Sequence, residues 1–338
     1  MLKLFQSIFG SNQARGGYPE SLIEMAIERA IDGTYPRLRA VPGYKKSLRE
    51  PVIHAIDHVI SLVDSIPEVI QASKIDYSKT PILSAVFVSP DHMREVFGGD
   101  AVLGEFRENN AAATESIKAL LLAECKAKNT LGVALEGEIL RRDVAQVTVS
   151  FGNHRLLAPA TSEDESRRLL KHRAFDHLIS LGLMKIGEAK GERAELNHHR
   201  ELLRSKLGVL QKSGWSFDRQ DGGQGDPVKL QQELDEIEGQ LNGLVVDDRT
   251  LIGQLNVIVD VLANAEKYLW AEGVELHLDK MNIKREAGGA DANQLCFTEL
   301  HNARGSKLAV LLVSLNPDEL PQRQSFAANI SRALAELG

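Results

Sequence analysis

The sequence has few cysteines, few aromatic residues and no apolar run long enough to cross a bilayer. Cys125 and Cys296 are its only cysteines in 338 residues, and their separation suits neither a zinc-ligand motif nor a disulfide framework. Aromatic residues make up 5% of the chain, which favours helices packed by aliphatic side chains over a large β-sandwich. A membrane-spanning helix needs about 20 apolar residues in a row, and the longest runs fall well short of that. These absences predict a cytoplasmic protein.

The common catalytic and cofactor motifs are also missing. The sequence contains no phosphate-binding GxxxxGK(S/T) or GxGxxG and no GxSxG nucleophile motif. His54 and His58 are spaced as metal ligands can be on a helix, but no third ligand accompanies them. We therefore expect no cofactor, no metal site and no catalytic residue. An enzyme remains an alternative hypothesis, because an acid–base site built from scattered carboxylates leaves no local sequence pattern.

The strongest pattern in the chain is an apolar repeat of seven residues that continues for more than five heptads. Its members, among which only Asp248 is polar, are Leu230, Leu234, Ile237, Leu241, Leu244, Asp248, Leu251, Leu255, Ile258, Leu262, Ala265 and Leu269. Apolar residues at alternating steps of four and three predict the seam of a coiled coil. A similar series, read backwards from Leu210, lies within residues 163–212.

The two series predict an antiparallel helical hairpin formed by residues 161–272. A glycine-rich break at 213–226 separates them and ends in Asp226-Pro227, a capping residue followed by a helix-starting proline. Residues 162–212 have eleven Lys and Arg against eight Asp and Glu, whereas residues 227–272 have three against nine. Opposite charge of this kind is expected of helices that flank one seam. Both series become apolar all round far from the break, so only the arm, about residues 187–249, is predicted to project.

The rest of the chain predicts an α+β protein that is mostly helical. Residues 1–17 read as an amphipathic N-terminal peptide and linker, and residues 18–160 as a helical region, with its last helix at 111–128, followed by a β-hairpin. Residues 273–338 read as a β-rich segment and a C-terminal helix. We expect their strands to join those of 130–157 in one small mixed or antiparallel sheet at the root of the hairpin, because neither set can form a sheet domain alone.

Three groups of residues are candidate sites of interaction. Trp215 and Phe217 are large aromatic residues in the break at the tip of the arm, where they either anchor a partner or fold over the end of the seam. Arg193 is predicted to pair with Asp248 and so to fix the register of the seam. The N-terminal peptide has an apolar face that could dock on a partner, on a membrane surface or on the protein's own core, and that face consists of Leu2, Leu4, Phe5, Ile8 and Phe9.

These features together indicate a non-enzymatic interaction or scaffold protein that presents its arm to a protein partner. The N-terminal peptide could add a weak membrane-surface contact, since stable anchoring needs a second signal. Nucleic acid is the less favoured partner, because the chain has a net charge of −7. A nucleic-acid- or ribosome-associated factor that uses the basic helix of the arm is the alternative. Formation of a homo-oligomer is compatible with the same pattern.

Overall fold

A computed structural model describes residues 17–110, 115–136, 139–212, 227–243, 251–288 and 292–321. Within these residues the protein combines helices with a mainly antiparallel sheet, so the predicted α+β class is confirmed. No helix in these ranges is both long enough and apolar enough to cross a membrane.

The helices are α1 (Glu20–Asp32), α2 (Tyr44–Asp64), α3 (Lys74–Tyr77), α4 (Pro81–Val86), α5 (Pro90–Gly99), α6 (Ala101–Asn109), α7 (Glu163–Lys212), α8 (Pro227–Gly243), α9 (Leu251–Ala263) and α10 (Ala265–Tyr268), with 3₁₀ helices at Pro36–Ala40 and Pro317–Glu319. The strands are β1 (Ile70–Gln71), β2 (Ile117–Glu136), β3 (Ile139–Ala160), β4 (Leu269–Leu278), β5 (Asn293–Asn302) and β6 (Lys307–Leu315).

The chain divides into two compact units. The described residues of the first unit come from Ile56–Phe175 and Glu266–Gly338, and this unit contains the whole sheet. Those of the second come from Gln13–Ala55 and Asp176–Ala265, and this unit is helical. Helices α2 and α7 contribute residues to both units.

The sheet of the first unit has the strand order β3-β2-β6-β5-β4, and every neighbouring pair is antiparallel. The short strand β1 pairs in parallel with β6. Strand β6 pairs with β2 only over Ile117–Ala123, whereas β2 stays paired with β3 out to Glu136. After β4 the chain turns back, and Ile283 forms a bridge with Thr148 of β3. Hydrogen bonding therefore continues from β4 through this segment to β3.

Alternate residues of the central strands fill two different cores. On β2, Ile117, Ala119, Leu121 and Ala123 pack into the larger core, together with α4, α5 and α6. Leu120 and Leu122 pack into a smaller core on the other face, against α2 and α7. The prediction of a helix at 111–128 is therefore wrong from Ile117 onward, where the chain forms strand β2. A strand that is covered on both faces reads as a continuous apolar run and loses the alternation that identifies strands.

Helix α1 of the second unit buries one face and uses acidic residues on another. Its buried residues include Ile23, Ile27 and Ile31. Four acidic residues at steps of four make ion pairs with the following elements: Glu20 with Arg49 (2.5 Å), Glu24 with Lys45 (3.3 Å), Glu28 with Arg39 (2.8 Å) and Asp32 with Arg39 (2.6 Å). Burial alone would raise the pKa of Glu28, but hydrogen bonds from Tyr44 and Arg39 lower it overall. The helix is thus held both by its apolar face and by charge.

Candidate functional site

Most of the side chains predicted to form interaction sites lie outside the described residues. This holds for Trp215 and Phe217 at the tip, for Asp248, and for the apolar face of the N-terminal peptide, namely Leu2, Leu4, Phe5, Ile8 and Phe9. Arg193 is different, because it lies within helix α7. The Arg193–Asp248 contact stays a prediction.

Helices α7 and α8 contact each other through a narrow apolar cluster. Leu203 of α7 is buried with Leu234 and Ile237 of α8, and Leu196 and Leu230 pack against these three. Other described residues of α8, such as Glu233 and Glu236, are exposed. A helix pair with so narrow an apolar stripe leaves most of its surface to water.

A charged pair lies beside this cluster. The Nη2 atom of Arg204 is 2.6 Å from Oε1 of Glu238, and both side chains are partly exposed. An exposed pair of this kind adds little stability, typically about 0–1 kcal/mol. It joins the basic helix to the acidic one, in agreement with the opposite charges of their sequences.

Helix α7 also lies close to α9 within the second unit. A Cβ atom built on Gly182 would be 3.7 Å from Cγ1 and 3.9 Å from Cα of Ile258. The small residue therefore allows the two backbones to approach. In the sequence, Gly182 and Ile258 are equally far from residue 220, which lies in the break between the helices. The same holds for Leu203 and Ile237, as expected for two helices that fold back on each other at that break.

A second group of polar residues lies on the first unit, where strand register brings together residues far apart in sequence. Trp270 and Glu272 of β4 are directly opposite His301 and Glu299 of β5. The indole of Trp270 stacks on the imidazole of His301 with ring centroids 5.3 Å apart. Its Nε1–H donates a hydrogen bond to Glu272 at 2.8 Å. No short sequence motif contains this group, because its residues come from two strands that are far apart in the sequence.

The imidazole of His301 is buried beside two carboxylates. Its Nε2 atom is 3.3 Å from Oε2 of Glu299 and 3.7 Å from Oε2 of Glu272, and neither contact has the geometry of a hydrogen bond. An imidazole next to carboxylates can hold or transfer a proton. Among the residues that the structure describes, no group of three or more His, Cys, Asp and Glu side chains is arranged to hold a metal ion.

Cys125, on the same face of the sheet, is not activated as a nucleophile. Burial raises the pKa of the Cys125 thiol to about 11, and the negative charge of Glu299 adds to this rise. A thiol with so high a pKa stays protonated at neutral pH, whereas the thiolate is the reactive form. This residue therefore does not supply a catalytic nucleophile.

His58, one of the two histidines that are four residues apart on α2, makes a structural hydrogen bond. The Nε2 atom of His58 is 2.7 Å from the carbonyl oxygen of Leu269, so the ring donates a hydrogen bond to the start of β4.

Comparisons with family models, with curated proteins and with solved structures found no match to this chain.

Proposed function

We propose that this protein is a non-enzymatic intracellular interaction protein, an adaptor or scaffold subunit that presents the arm to a protein partner. The observation that carries the proposal is the contact between α7 and α8 through Leu203, Leu234 and Ile237, with exposed polar residues around it. Among its described side chains, this helix pair buries too few apolar residues to serve as a core of its own. Its exposed surface is suited to recognition by another chain.

The same contacts support a coiled-coil hairpin as the form of the arm. The closeness of Gly182 to Ile258, and the cluster of Leu203 with Leu234 and Ile237, are compatible with one antiparallel register on either side of Arg193. Leu196 and Leu230 extend the seam in both directions. At 1.5 Å per residue, an arm over 187–249 would be about 35–40 Å long. That length would keep its tip well clear of its own root.

Trp215 and Phe217 are the proposed anchors at the tip. Aromatic residues contribute a large share of the energy at protein interfaces. They occur in a glycine-rich stretch, where the sequence offers few apolar neighbours to cover them.

The tip is tested by replacing Trp215 and Phe217 together with serine in the full-length protein. We expect the double variant to lose the partner in a pull-down, with unfolding free energy changed by no more than about 0.5 kcal/mol. Replacing the exposed His198 and His199 of α7 with serine is the matched control, and it should keep the partner. Retained binding together with a fall of several degrees in melting temperature would assign both aromatic residues to the end of the seam instead.

Nucleic-acid binding is the alternative, supported by the net charge of +3 that eleven basic and eight acidic residues give to 162–212. Weighing against it, Arg204 is already paired with Glu238. Binding to a nucleic acid should weaken steeply as salt is raised, because phosphate contacts release counterions. A protein partner that is held by aromatic anchors should be far less sensitive. A salt titration of the captured complex separates the two.

A further inference from the structure

The chain between α4 and α5 is held by side chains from several elements of the first unit. Each of four consecutive residues has a backbone group in a hydrogen bond with such a side chain: Ala85 with Asn282 (2.8 Å), Val86 with His154 (3.1 Å), Phe87 with Tyr77 (2.8 Å) and Val88 with His92 (3.3 Å). The first three are carbonyl acceptors, and the Val88 N–H is a donor. Two of these bonds, from Asn282 and His154, come from distant parts of the chain, so the end of α4 and the residues after it are fixed to the rest of the first unit.

Ring packing fixes the same segment from the inside. Phe87 is 1% exposed and stacks on His154 with ring centroids 4.9 Å apart. It also meets Phe97 edge to face at 5.3 Å. Burial lowers the pKa of His154, although its hydrogen bond to the Val86 carbonyl acts in the opposite direction. The neutral ring is thus favoured, and it keeps one N–H for that carbonyl.

Two apolar side chains are nevertheless turned to solvent on this rigid backbone. Val88 is 88% exposed, and Met281, the neighbour of Asn282, is 76% exposed. The N–H of Met281 donates to Oδ1 of Asp279 at 2.9 Å, so its turn is fixed as well. The hydrogen bond from Asn282 to Ala85 brings the turn of Met281 next to the segment of Val88.

Exposed apolar side chains on rigid backbone have the properties of interface anchors. A lone exposed apolar residue needs no explanation, but a group of them marks a site of interaction. A third strongly exposed residue, Ile75 at 69%, lies on the short helix that also carries Tyr77. Binding through such positions costs little conformational entropy, because the backbone is already ordered in the free protein.

The charges around Met281 indicate what kind of partner fits. Lys280 and Lys284 are exposed, and neither forms an ion pair within the described residues. Asp279, which precedes Lys280, is already paired with Arg285 at 2.7 Å. Glu286 is also exposed, and Asp91 on the side of Val88 lies 3.6 Å from Arg94. The two lysines therefore give the turn of Met281 an excess of positive charge, which is complementary to acidic side chains.

We propose that Val88 and Met281 form a docking site for a protein partner, which contributes an apolar socket bordered by Asp or Glu side chains. The site lies on the first unit, whereas the helices of the arm belong to the second. A membrane surface is disfavoured as the occupant, because two apolar side chains and two lysines fall short of the signals that stable lipid anchoring requires.

The proposal is tested first by placing a photo-crosslinking amino acid at position 88 of the full-length protein in its native cell. Position 131 is the matched control, since Leu131 is an apolar residue of the same unit with 72% exposure. We expect a protein that crosslinks at position 88 and not at 131, through a segment with acidic residues beside apolar ones. Absence of any position-specific protein adduct would overturn the proposal, as would crosslinking to a second copy of this chain.

The crosslinked protein is then purified and titrated against variants. The double variant Val88→Ser/Met281→Ser should weaken binding at least tenfold, and Lys280→Glu/Lys284→Glu should weaken it several-fold, while Leu131→Ser should have no effect. Co-sedimentation with vesicles of anionic phosphatidylglycerol is measured in parallel. Unchanged affinity in both double variants, or vesicle binding that depends on Val88 and Met281, would overturn the docking site.

Discussion

At the scale of single residues, Asp279 organises the turn that follows β4. Its carboxylate accepts hydrogen bonds from the backbone N–H groups of Met281 (2.9 Å) and Ile283 (3.0 Å) and pairs with Arg285. Burial alone would raise the pKa of Asp279, but these donors outweigh it, so the pKa is lowered from 3.8. The turn therefore depends on the ionised carboxylate.

Replacing Asp279 with alanine should lower the free energy of unfolding by about 0.5–1.5 kcal/mol at pH 7, because the turn loses the hydrogen bonds from Met281 and Ile283, whose donors water can partly satisfy. The folded-state pKa lies below the unfolded value, so this contribution is present above about pH 4 and is lost as pH falls through the folded pKa. Urea unfolding of both proteins at pH 7 and pH 3 measures it. If the wild type and the variant differed in unfolding free energy by as much at pH 3 as at pH 7, the role assigned to the charge of Asp279 would be contradicted.

At the scale of elements, the register of α7 against α8 and α9 makes a prediction about Arg193. Gly182 is close to Ile258 on one side, and Leu203 clusters with Leu234 and Ile237 on the other. If both contacts belong to one antiparallel alignment, as we propose, Arg193 is expected to lie opposite Asp248. A charge in an apolar seam is tolerable when it is paired and costly when it is alone.

Each single change, Arg193→Leu or Asp248→Leu, should therefore destabilise the protein more than the double change. Urea unfolding of the three variants and the wild type forms a double-mutant cycle, with an expected coupling of about 0.5–3 kcal/mol. Effects that simply add would place the two side chains apart and would contradict the alignment.

The helices of this protein could largely be predicted from sequence, because their signals are local. Pro19 and Gly33 are local signals for the start and the end of a helix, and α1 covers Glu20–Asp32 between them. The long helix expected over 163–212 is α7. The first part of strand β2, from Ile117 to Lys128, was predicted as helix, because its apolar residues enter two cores and show no period of two. Its remainder falls within the strands predicted over 130–157. The boundary between helix and strand near Leu269 was also misplaced, since the heptad series continues into β4.

The polar groups of the first unit could not be predicted in the same way. His301 meets Glu272 only because β4 and β5 are aligned in one register. Two of the four hydrogen bonds to residues 85–88 come from His154 and Asn282, which are far from that segment in sequence. No pattern within a short window carries information about such contacts.

At the scale of the whole molecule, the two units are proposed to have separate surfaces for recognition. The second unit contains the helices of the arm, and the first unit contains Val88 and Met281. Changes at one surface should leave binding at the other unaffected, because they share no residues.

The central claim is that the arm presents a binding surface to a protein partner. It is tested most directly by removing the outer part of the arm together with its tip, residues 197–243, and joining the two shortened helices by a short glycine-serine loop. Quantitative pull-downs from the native cell then compare this protein with the intact chain. We predict that the shortened protein loses a specific partner that the intact chain captures. It should retain any partner whose binding depends on Val88 and Met281. Its melting temperature should stay close to that of the intact protein. Recovery of the same partners in the same amounts from both proteins would contradict the claim.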